Sequence, residues 1–261
     1  MRVPNLTLSD AVLDRLNTLR TKQNSLNQQI STGQRYSFAS EDPQSASRVM
    51  GLRSEVAITQ QYAKNADLAT GISEATGSAL LGINSISTRA RELAALASGG
   101  VTSAEERSAY AVEVNQLMLQ TMELGNSQYN GQYLFNGTSI TAVPFSTDTS
   151  GAGDTAAHPT GITAAATVVA GSDGLQIQLA DSLTLSPYSR GANNEKLTTF
   201  MNNLRDLRNA MEQNDSTALA TAQTALKTSE GDIVNAVAEV SASRGRLDSI
   251  KDAASKRFSD I

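Results

Sequence analysis

The sequence predicts a mainly α protein: a long antiparallel helical bundle or coiled-coil rod that carries a small β-rich outer insert domain. Two observations lead to this fold class. Apolar residues recur at helical spacing in both end regions of the chain, whereas turn residues and short apolar runs replace that spacing in the middle. Aromatic residues make up only 4% of the 261 residues, so the core has to be built from Ala, Leu, Val and Ile, which suits closely packed long helices.

The same patterns divide the chain into four regions. We expect an N-terminal helical segment, a core helical hairpin, a β-rich outer insert and returning core helices, at residues 1–42, 43–138, 139–192 and 193–261. The length is sufficient for one or two domains with a substantial core.

The first predicted helix covers residues 8–33 and carries a seven-residue repeat. Spacings of four and three alternate, as in a coiled-coil seam, at Val12, Leu16, Leu19, Gln23, Leu26, Ile30 and Gly33. An apolar stripe at helical spacing usually faces the core of its own molecule. A narrow stripe with a polar interruption, placed at an extremity of the chain, favours order acquired by packing with a neighbouring molecule instead.

The second predicted helix begins at Pro43, because Asp42 is a good N-cap and proline is tolerated at the first helical position. It continues to the break at Gly99–Gly100. Glycines inside a helix each cost about 1 kcal/mol relative to alanine, and this helix contains Gly71, Gly77 and Gly82. We therefore expect either a kink near them or the close approach of another backbone.

A third predicted helix follows a short loop. Ser103 and Glu106 have the spacing of a capping box, and the helical pattern ends at about Gly125. Because the loop is short, the second and third helices are expected to pack as an antiparallel hairpin.

The middle of the chain loses the helical pattern. Turn residues surround a short apolar strand at Tyr133–Phe135, and further strands are expected at 167–169, 175–179 and 183–185. Between Thr138 and Ser189 there are four acidic residues and no Lys or Arg. The insert is therefore predicted to be small, rich in β-strands and negatively charged.

The helical pattern returns at about Asn193, breaks at Asn214–Asp215 and continues from about Thr217 to the end of the chain. From Ile233 onward the alternation of four and three reappears. Its apolar members include Val237, Val240 and Leu247, and its charged members are Arg244 and Lys251. The chain is thus predicted to begin and end with helices of coiled-coil character.

The composition excludes several kinds of functional site. The chain has no Cys, which excludes a disulfide framework, a zinc ribbon, an iron–sulfur centre and a thiol nucleophile. No phosphate-binding loop, dinucleotide fingerprint, zinc-protease or serine-hydrolase motif is present. The single histidine, His158, is interpreted as a surface residue; a metal site with Asp148 and Asp154 is the weaker alternative, since the spacing of a calcium loop is missing. We expect no enzymatic activity, no cofactor and no metal.

Charge and hydropathy narrow the choice of partners. The chain has 21 basic and 26 acidic residues without a basic stripe, which argues against a nucleic-acid partner. No apolar run is long enough to span a membrane, and Met1–Thr7 lacks the apolar region of a secretory signal peptide. These features indicate a cytosolic protein, or one exported by a route that needs no signal peptide.

Four segments resemble the flagellin superfamily: QISTGQR at Gln29–Arg35, SEDP at Ser40–Pro43, NGQYLFNGT at Asn130–Thr138 and VSASRGRLDS at Val240–Ser249. The family-motif residues are Gly33, Arg35, Asp42, Pro43, Asn130, Gly131, Tyr133, Leu134, Phe135 and Gly137. The proline after the acidic pair and the YLFNG segment are more similar to the branch of hook–filament junction proteins than to flagellin, in which alanine typically follows that pair. The resemblance covers 1–138 and 193–261, and 139–192 is placed by position alone.

The resemblance implies a structural role in the bacterial flagellum. Members of the family are exported unfolded through the flagellar type III apparatus without a cleaved signal peptide, and they assemble outside the cell. Members of the junction branch form an annular layer between hook-associated protein 1 and flagellin. The implied partners are therefore these two proteins, further copies of the chain and an export chaperone, with no nucleic acid, membrane or small-molecule substrate. Assembly and export are assigned to the N-terminal segment, 1–42.

The resemblance and the heptad spacing together predict which residues pack between subunits. We define the N-terminal seam as Val12, Leu16, Leu19, Leu26 and Ile30, and the C-terminal seam as Val237, Val240 and Leu247. Two alternatives stay open: flagellin itself, and a non-flagellar coiled-coil protein of secretion or signalling. In the family a further C-terminal helix usually packs beside the first one; this sequence ends at Ile261, so that helix is expected to be absent.

Overall fold

The computed structural model describes residues 4–35, 39–137, 139, 141–150, 155, 157–165 and 175–260. Its helices are α1 (Pro4–Thr32), α2 (Pro43–Ala97), α3 (Ala104–Gly125), α4 (Gly191–Glu212) and α5 (Ser216–Asp260). Its strands are β1 (Gln128–Tyr129), β2 (Gln132–Tyr133), β3 (Phe145–Asp148), β4 (Gly161–Ala164), β5 (Ile177–Ala180) and β6 (Leu183–Leu185). The prediction of a mainly α fold with a small β region is confirmed. The chain forms two compact units, Met1–Ala57 and Ile58–Ile261.

The first unit contains α1 and the beginning of α2. Helix α1 ends at Thr32, and Gly33 follows with a φ of +65°, the left-handed conformation that commonly terminates a helix. Asp42 caps α2, since its carboxylate accepts hydrogen bonds from the backbone N of Ser45 at 3.0 Å and from the Ser45 hydroxyl at 2.6 Å. The predicted start of α2 at Pro43 is therefore confirmed.

The second unit is built on an antiparallel hairpin of α2 and α3. Ser103 accepts from the backbone N of Glu106, and the Glu106 carboxylate accepts from the backbone N of Ser103, so the predicted capping box is present. Contacts that progress in opposite directions along the two helices establish the antiparallel packing. Arg89 pairs with Glu113 at 2.7 Å, and farther along α2 the Nε of Arg107 donates to the carbonyl of Ala97 at 2.8 Å.

Helix α5 also runs antiparallel to α2. Arg244 pairs with Glu74 and Lys251 pairs with Asp67, each at 2.7 Å. These are the two charged residues that interrupt the heptad repeat of α5. Within this chain they lie opposite acidic residues of α2, which explains why charged residues are tolerated there.

The core of the second unit is a continuous apolar cluster to which α2, α3, α4 and α5 all contribute. Aliphatic side chains and alanines dominate it, with a few large residues at its centre: Leu80, Ile83, Met118, Phe135, Phe145 and Phe200. The core is therefore mainly aliphatic, as expected, but three of the five phenylalanines of the chain lie at its centre. Helix α4 contacts both α3 and α5, which completes the helical bundle of this unit.

The glycines of α2 admit side chains of neighbouring elements. Tyr129 lies over Gly71, where a Cβ atom would collide with its hydroxyl and ring. A Cβ at Gly77 would lie 3.7 Å from Val240, and one at Gly82 would lie 3.0 Å from Leu124. Helix α2 is uninterrupted from Pro43 to Ala97. Close packing of side chains, and not of another backbone, accounts for Gly71 and Gly82, whereas a methyl group at Gly77 would make only an ordinary contact.

Strands β1 and β2 form a short antiparallel hairpin. Its turn residues, Asn130 and Gly131, have φ values of +50° and +77°, as in the type I′ turns that Asn-Gly favours. The predicted strand at Tyr133–Phe135 is wrong in extent, because only Gln132 and Tyr133 pair. The backbone N of Leu134 still donates to the carbonyl of Ser127 at 3.1 Å. The side chains of Leu134 and Phe135 are buried in the helical core, where an apolar pair gains more burial than in a two-residue strand.

The insert contains two further antiparallel hairpins. Strand β3 pairs with β4, and β5 pairs with β6. The last of these strands, Leu183–Leu185, was predicted with the same limits, and β5 covers Ile177–Ala180 where a strand was expected at 175–179. Strands β3 and β4 were not predicted. The strand expected at 167–169 lies outside the described residues.

Candidate functional site

Helix α1 carries a surface of exposed apolar side chains. All five residues of the N-terminal seam are exposed, from 51% for Leu26 to 80% for Ile30. Leu13, which the heptad spacing did not select, is 57% exposed beside Val12 and widens the stripe. Isolated exposed leucines are common on protein surfaces, whereas a contiguous apolar stripe indicates an interaction surface.

The N-terminal seam is suited to packing against another helix. Its spacing places an apolar side chain on one side of α1 in each turn except that of Gln23. Burying a leucine or isoleucine side chain contributes about 1.5–3 kcal/mol, so five such residues supply a substantial driving force for association. Catalysis needs converging polar groups, and this surface does not offer them.

The C-terminal seam has a different environment. Leu247 is completely buried in a small cluster with Ala66, Ala69, Leu179 and Leu185 of its own chain. Val237 and Val240 are half-buried and pack against the main core. The prediction that Leu247 packs between subunits is therefore corrected, because a side chain covered by its own chain offers no surface to a neighbour.

The family-motif residues have mainly structural positions. Gly33, Gly131 and Gly137 have φ values of +65°, +77° and +59°, so each turns the backbone where a side chain would be strained. Gln29 Nε2 donates to the carbonyl of Arg35 at 2.9 Å, which closes the turn after α1. Tyr133 is half-buried. The glycines thus determine where the backbone turns. The buried Leu134 and Phe135 fix the segment after the β1–β2 hairpin against the core.

Two asparagines hold the β3–β4 hairpin against the helices. Asn126, at the end of α3, donates through Nδ2 to the carbonyl of Phe145 at 2.9 Å and accepts from its backbone N at 3.0 Å. Asn202, on α4, binds Ile162 in the same way, at 3.4 Å and 3.2 Å. We call these two pairs the amide clamps. Each side-chain amide bonds both the N–H and the carbonyl of one strand residue, as a neighbouring strand would. Sequence periodicity does not indicate such a contact.

The loop between β3 and β4 is fastened by a buried arginine. Arg208 is 2% exposed, and its Nη1 donates to the carbonyl of Pro159 at 3.0 Å and to Asn115 Oδ1 at 2.9 Å. Asn115 Nδ2 in turn donates to the carbonyl of Ala157 at 2.7 Å. His158 lies on the surface, as expected, with Nε2 at 3.0 Å from Glu212 Oε1.

Hydrogen bonding to a carboxylate and burial are the causes of the shifted pKa values. The hydrogen bond with Asp67 raises the pKa of Lys251, and the hydrogen bond with Asp181 raises the pKa of Tyr62. Burial raises the pKa of Tyr188. Among the described residues, no group of His, Asp and Glu could hold a metal ion. No helix in the described part of the chain is both long and apolar enough to cross a membrane.

A helical core, a small β insert and an exposed heptad stripe define a mainly α protein with a helix surface suited to packing. Residues 4–140 match the family described as the bacterial flagellin N-terminal helical region. This match covers more than half of the chain, and it includes α1, the whole of α2 and α3, and the β1–β2 hairpin. The chain belongs to this family.

Similar proteins are flagellar. Flagellar hook-associated protein 3 of Salmonella typhimurium is 28% identical over 198 residues, which are 75% of this chain and 62% of that protein. The crystal structure of FlgL from Bacillus cereus has a TM-score of 0.66 at 22% identity and covers 81% of this chain and 97% of that one. The flagellar junction protein FlgL from Legionella pneumophila has a TM-score of 0.57 at 12% identity, covering 84% and 98%. The chain thus spans less than two thirds of the Salmonella relative, and the two solved structures share its fold.

Proposed function

We propose that this chain is a structural subunit of the flagellar hook–filament junction. In this role it forms an annular layer whose neighbours are hook-associated protein 1 on one side and flagellin on the other. The exposed N-terminal seam carries the proposal, because an apolar heptad stripe on α1 is suited to helix packing between subunits. The similarity to a hook-associated protein 3 and the SEDP and YLFNG segments favour the junction over the filament.

The proposal includes export and location. We infer that the chain is secreted unfolded through the flagellar type III apparatus, with a chaperone covering the N-terminal seam until export. The absence of Cys is compatible with this route, since a disulfide would hold the chain in a folded form. The subunit then acts outside the cell as a structural element without enzymatic activity.

Labelling of intact cells tests the location. Immunogold antibodies against residues 139–192 should give a single band at the hook–filament boundary. The matching family is named after flagellin, so a filament subunit is the second candidate function. Label along the whole filament would establish flagellin and contradict the junction, and flagella without label would contradict both.

A pair of substitutions on α1 tests the packing surface. Leu19→Asp places a charge on the N-terminal seam, whereas Thr21→Asp places the same charge two residues away, on the opposite side of the helix. We expect Leu19→Asp to abolish incorporation at the hook–filament boundary, because a carboxylate buried between two helices loses its hydration and gains no partner. Thr21→Asp should be incorporated.

Circular dichroism of the purified variants supplies the control. Both should keep the helical signal of the unaltered chain, because residue 19 is exposed in the monomer. A loss of helical signal confined to Leu19→Asp would mean that the seam folds the monomer and is not an assembly surface. Equal incorporation of both variants would contradict the role of the N-terminal seam.

A further inference from the structure

The second unit contains a polar cavity away from the N-terminal seam. Its volume is about 430 Å³, and it lies where α2, the β5–β6 hairpin, the segment after β6, the start of α4 and helix α5 meet. Hydroxyl and amide side chains line much of it, including Ser73, Gln176, Thr184, Ser186, Ser189 and Ser243. A cavity of this size is within the range of sites that bind small molecules.

The cavity includes the N-terminus of α4, which no side chain caps. Arg190 is at the N-cap position and makes no side-chain capping hydrogen bond. Gly191 and Asn193 of the first turn are buried, whereas Arg190 and Ala192 are exposed. A helix N-terminus carries a partial positive charge and unpaired N–H groups, so a partly buried N-terminus without a side-chain cap offers a site for an anion.

Buried hydroxyl groups in the cavity wall point to the same conclusion. Ser73 and Ser189 are 1% and 2% exposed. Within the described part of the chain, their Oγ atoms and that of Ser186 have no hydrogen-bond partner. Buried hydroxyls without a partner destabilise a fold, and rotation about χ1 is sufficient to direct a serine hydroxyl toward a ligand. Three such groups around one cavity indicate that it accommodates a polar molecule.

Two arginines give the cavity a positive charge. Arg190 and Arg246 both line it, and neither forms an ion pair with another described residue. The one carboxylate in the lining, Glu239, accepts a hydrogen bond from Asn193 Nδ2 at 2.8 Å. The cavity therefore combines a helix N-terminus, two guanidinium groups and several hydroxyls, which together match an oxyanion that carries hydroxyl groups.

We propose that this cavity binds a small hydroxylated oxyanion, a phosphorylated or carboxylated polyol. The N-terminus of α4 and the guanidinium groups of Arg190 and Arg246 hold the anionic group. The serine hydroxyls bind the polyol. Such a ligand links four elements of the second unit and stabilises it in proportion to its concentration.

Titration of the full chain with three probes tests the proposal. Glycerol 3-phosphate and glycerate carry an anionic group on a polyol, and glycerol is the neutral control. In ¹H–¹⁵N NMR spectra, the amide signals of Gly191 and Ala192 should shift saturably with at least one of the two acids. The acid that binds more tightly shows whether the ligand is a phosphorylated or a carboxylated polyol. Glycerol should leave these signals in place.

Substitutions distinguish a specific site from general attraction of anions. Arg190→Gln and Arg246→Gln should each weaken binding about tenfold, the loss of one charged hydrogen bond. Arg244→Gln removes the same charge two residues away on α5, but Arg244 pairs with Glu74 and does not line the cavity, so the affinity should be unchanged. Equal weakening by all three, equal binding of glycerol, or no saturable shift would overturn the proposal. Assembly is not part of this measurement, so its outcome is independent of the junction role.

Discussion

Helices α1 and α5 carry the same kind of heptad spacing but differ in what covers it. The N-terminal seam on α1 is more than half exposed throughout, whereas Leu247 on α5 is fully buried and Val237 and Val240 pack against the core. Heptad spacing therefore specifies which side of a helix is apolar, and the rest of the chain decides whether that side meets its own molecule or another.

Helix α5 shows the transition along its own length. Ile233 and Ala236 are 1% and 2% exposed in the main core, Leu247 lies in the small second cluster, and Phe258 near the end is 51% exposed. Helices α2 and α4 pack with α5 in the main core, and α2 and the β5–β6 hairpin cover Leu247. An apolar residue of α5 is therefore structural where one of these elements covers it, whereas Val234, next to Ile233, is 50% exposed and accessible to a neighbour.

The largest expected effect distinguishes the two seams directly. Leu247→Ala should lower the free energy of unfolding by about 2–5 kcal/mol, because it leaves a cavity in a fully packed cluster. Leu19→Ala should change it by less than about 0.5 kcal/mol, because the side chain is exposed. Urea denaturation of the two variants, followed by circular dichroism, measures both values. Equal losses would mean that the two seams are equally covered, and the comparison between α1 and α5 would fail.

Alanine substitutions at one glycine in each unit are expected to change the free energy of unfolding by a smaller amount. Gly71→Ala should destabilise the second unit by about 1–3 kcal/mol, because Tyr129 occupies the space of the new methyl group. Gly51→Ala, in the first unit, should stabilise α2 by up to about 1 kcal/mol, because no atom lies within 4 Å of its Cβ position. Thermal unfolding measures whether each substitution raises or lowers the stability.

Removing the tyrosine provides the control for this pair. In a Tyr129→Ala background, Gly71→Ala should no longer destabilise, since the colliding ring is gone. If the loss persists in that background, the cause lies in the backbone of α2 and not in the packing of Tyr129.

The smallest effect concerns the charged heptad positions of α5. Lys251→Gln should lower the melting temperature slightly at low salt and not at about 1 M salt, where exposed ion pairs are screened. Asp67 raises the pKa of Lys251 above its ordinary value of 10.5. The contribution of the pair is therefore complete at neutral pH and is lost only as the pH rises through that raised pKa.

Lys256→Gln is the matched control, because it removes a lysine from the same helix. No ion pair involves Lys256 within the described residues. An equal decrease in melting temperature for both variants would mean that the effect comes from the overall charge of α5 and not from the contact with Asp67.

The limits of the helices could largely be predicted from the sequence, because local chemistry determines them. Asp42 and Pro43 start α2, Ser103 and Glu106 start α3, and Asp215 caps α5 by accepting from the backbone N of Thr217 and Ala218. Each of these signals acts within four residues of the helix end, so the sequence around it is sufficient.

The insert and the surroundings of Leu247 were predicted less well, because distant residues determine them. Strands β3 and β4 depend on Asn126 and Asn202, which lie on helices on either side of the insert. Leu247 was placed in an intermolecular seam because spacing alone does not reveal Ala66 and Ala69 opposite it. The glycines of α2 were expected to meet a backbone or to allow a kink, and they meet side chains.

The amide clamps affect how the outer surface of this protein can change in evolution. Asn126 and Asn202 hold the β3–β4 hairpin through main-chain atoms of Phe145 and Ile162, so these contacts place few demands on the side chains between the two points. Exposed connections that are fixed at both ends tolerate substitution and insertion better than the elements that hold them. The assembly that we propose can therefore diversify what it presents to its surroundings while the packing of its helices is inherited unchanged.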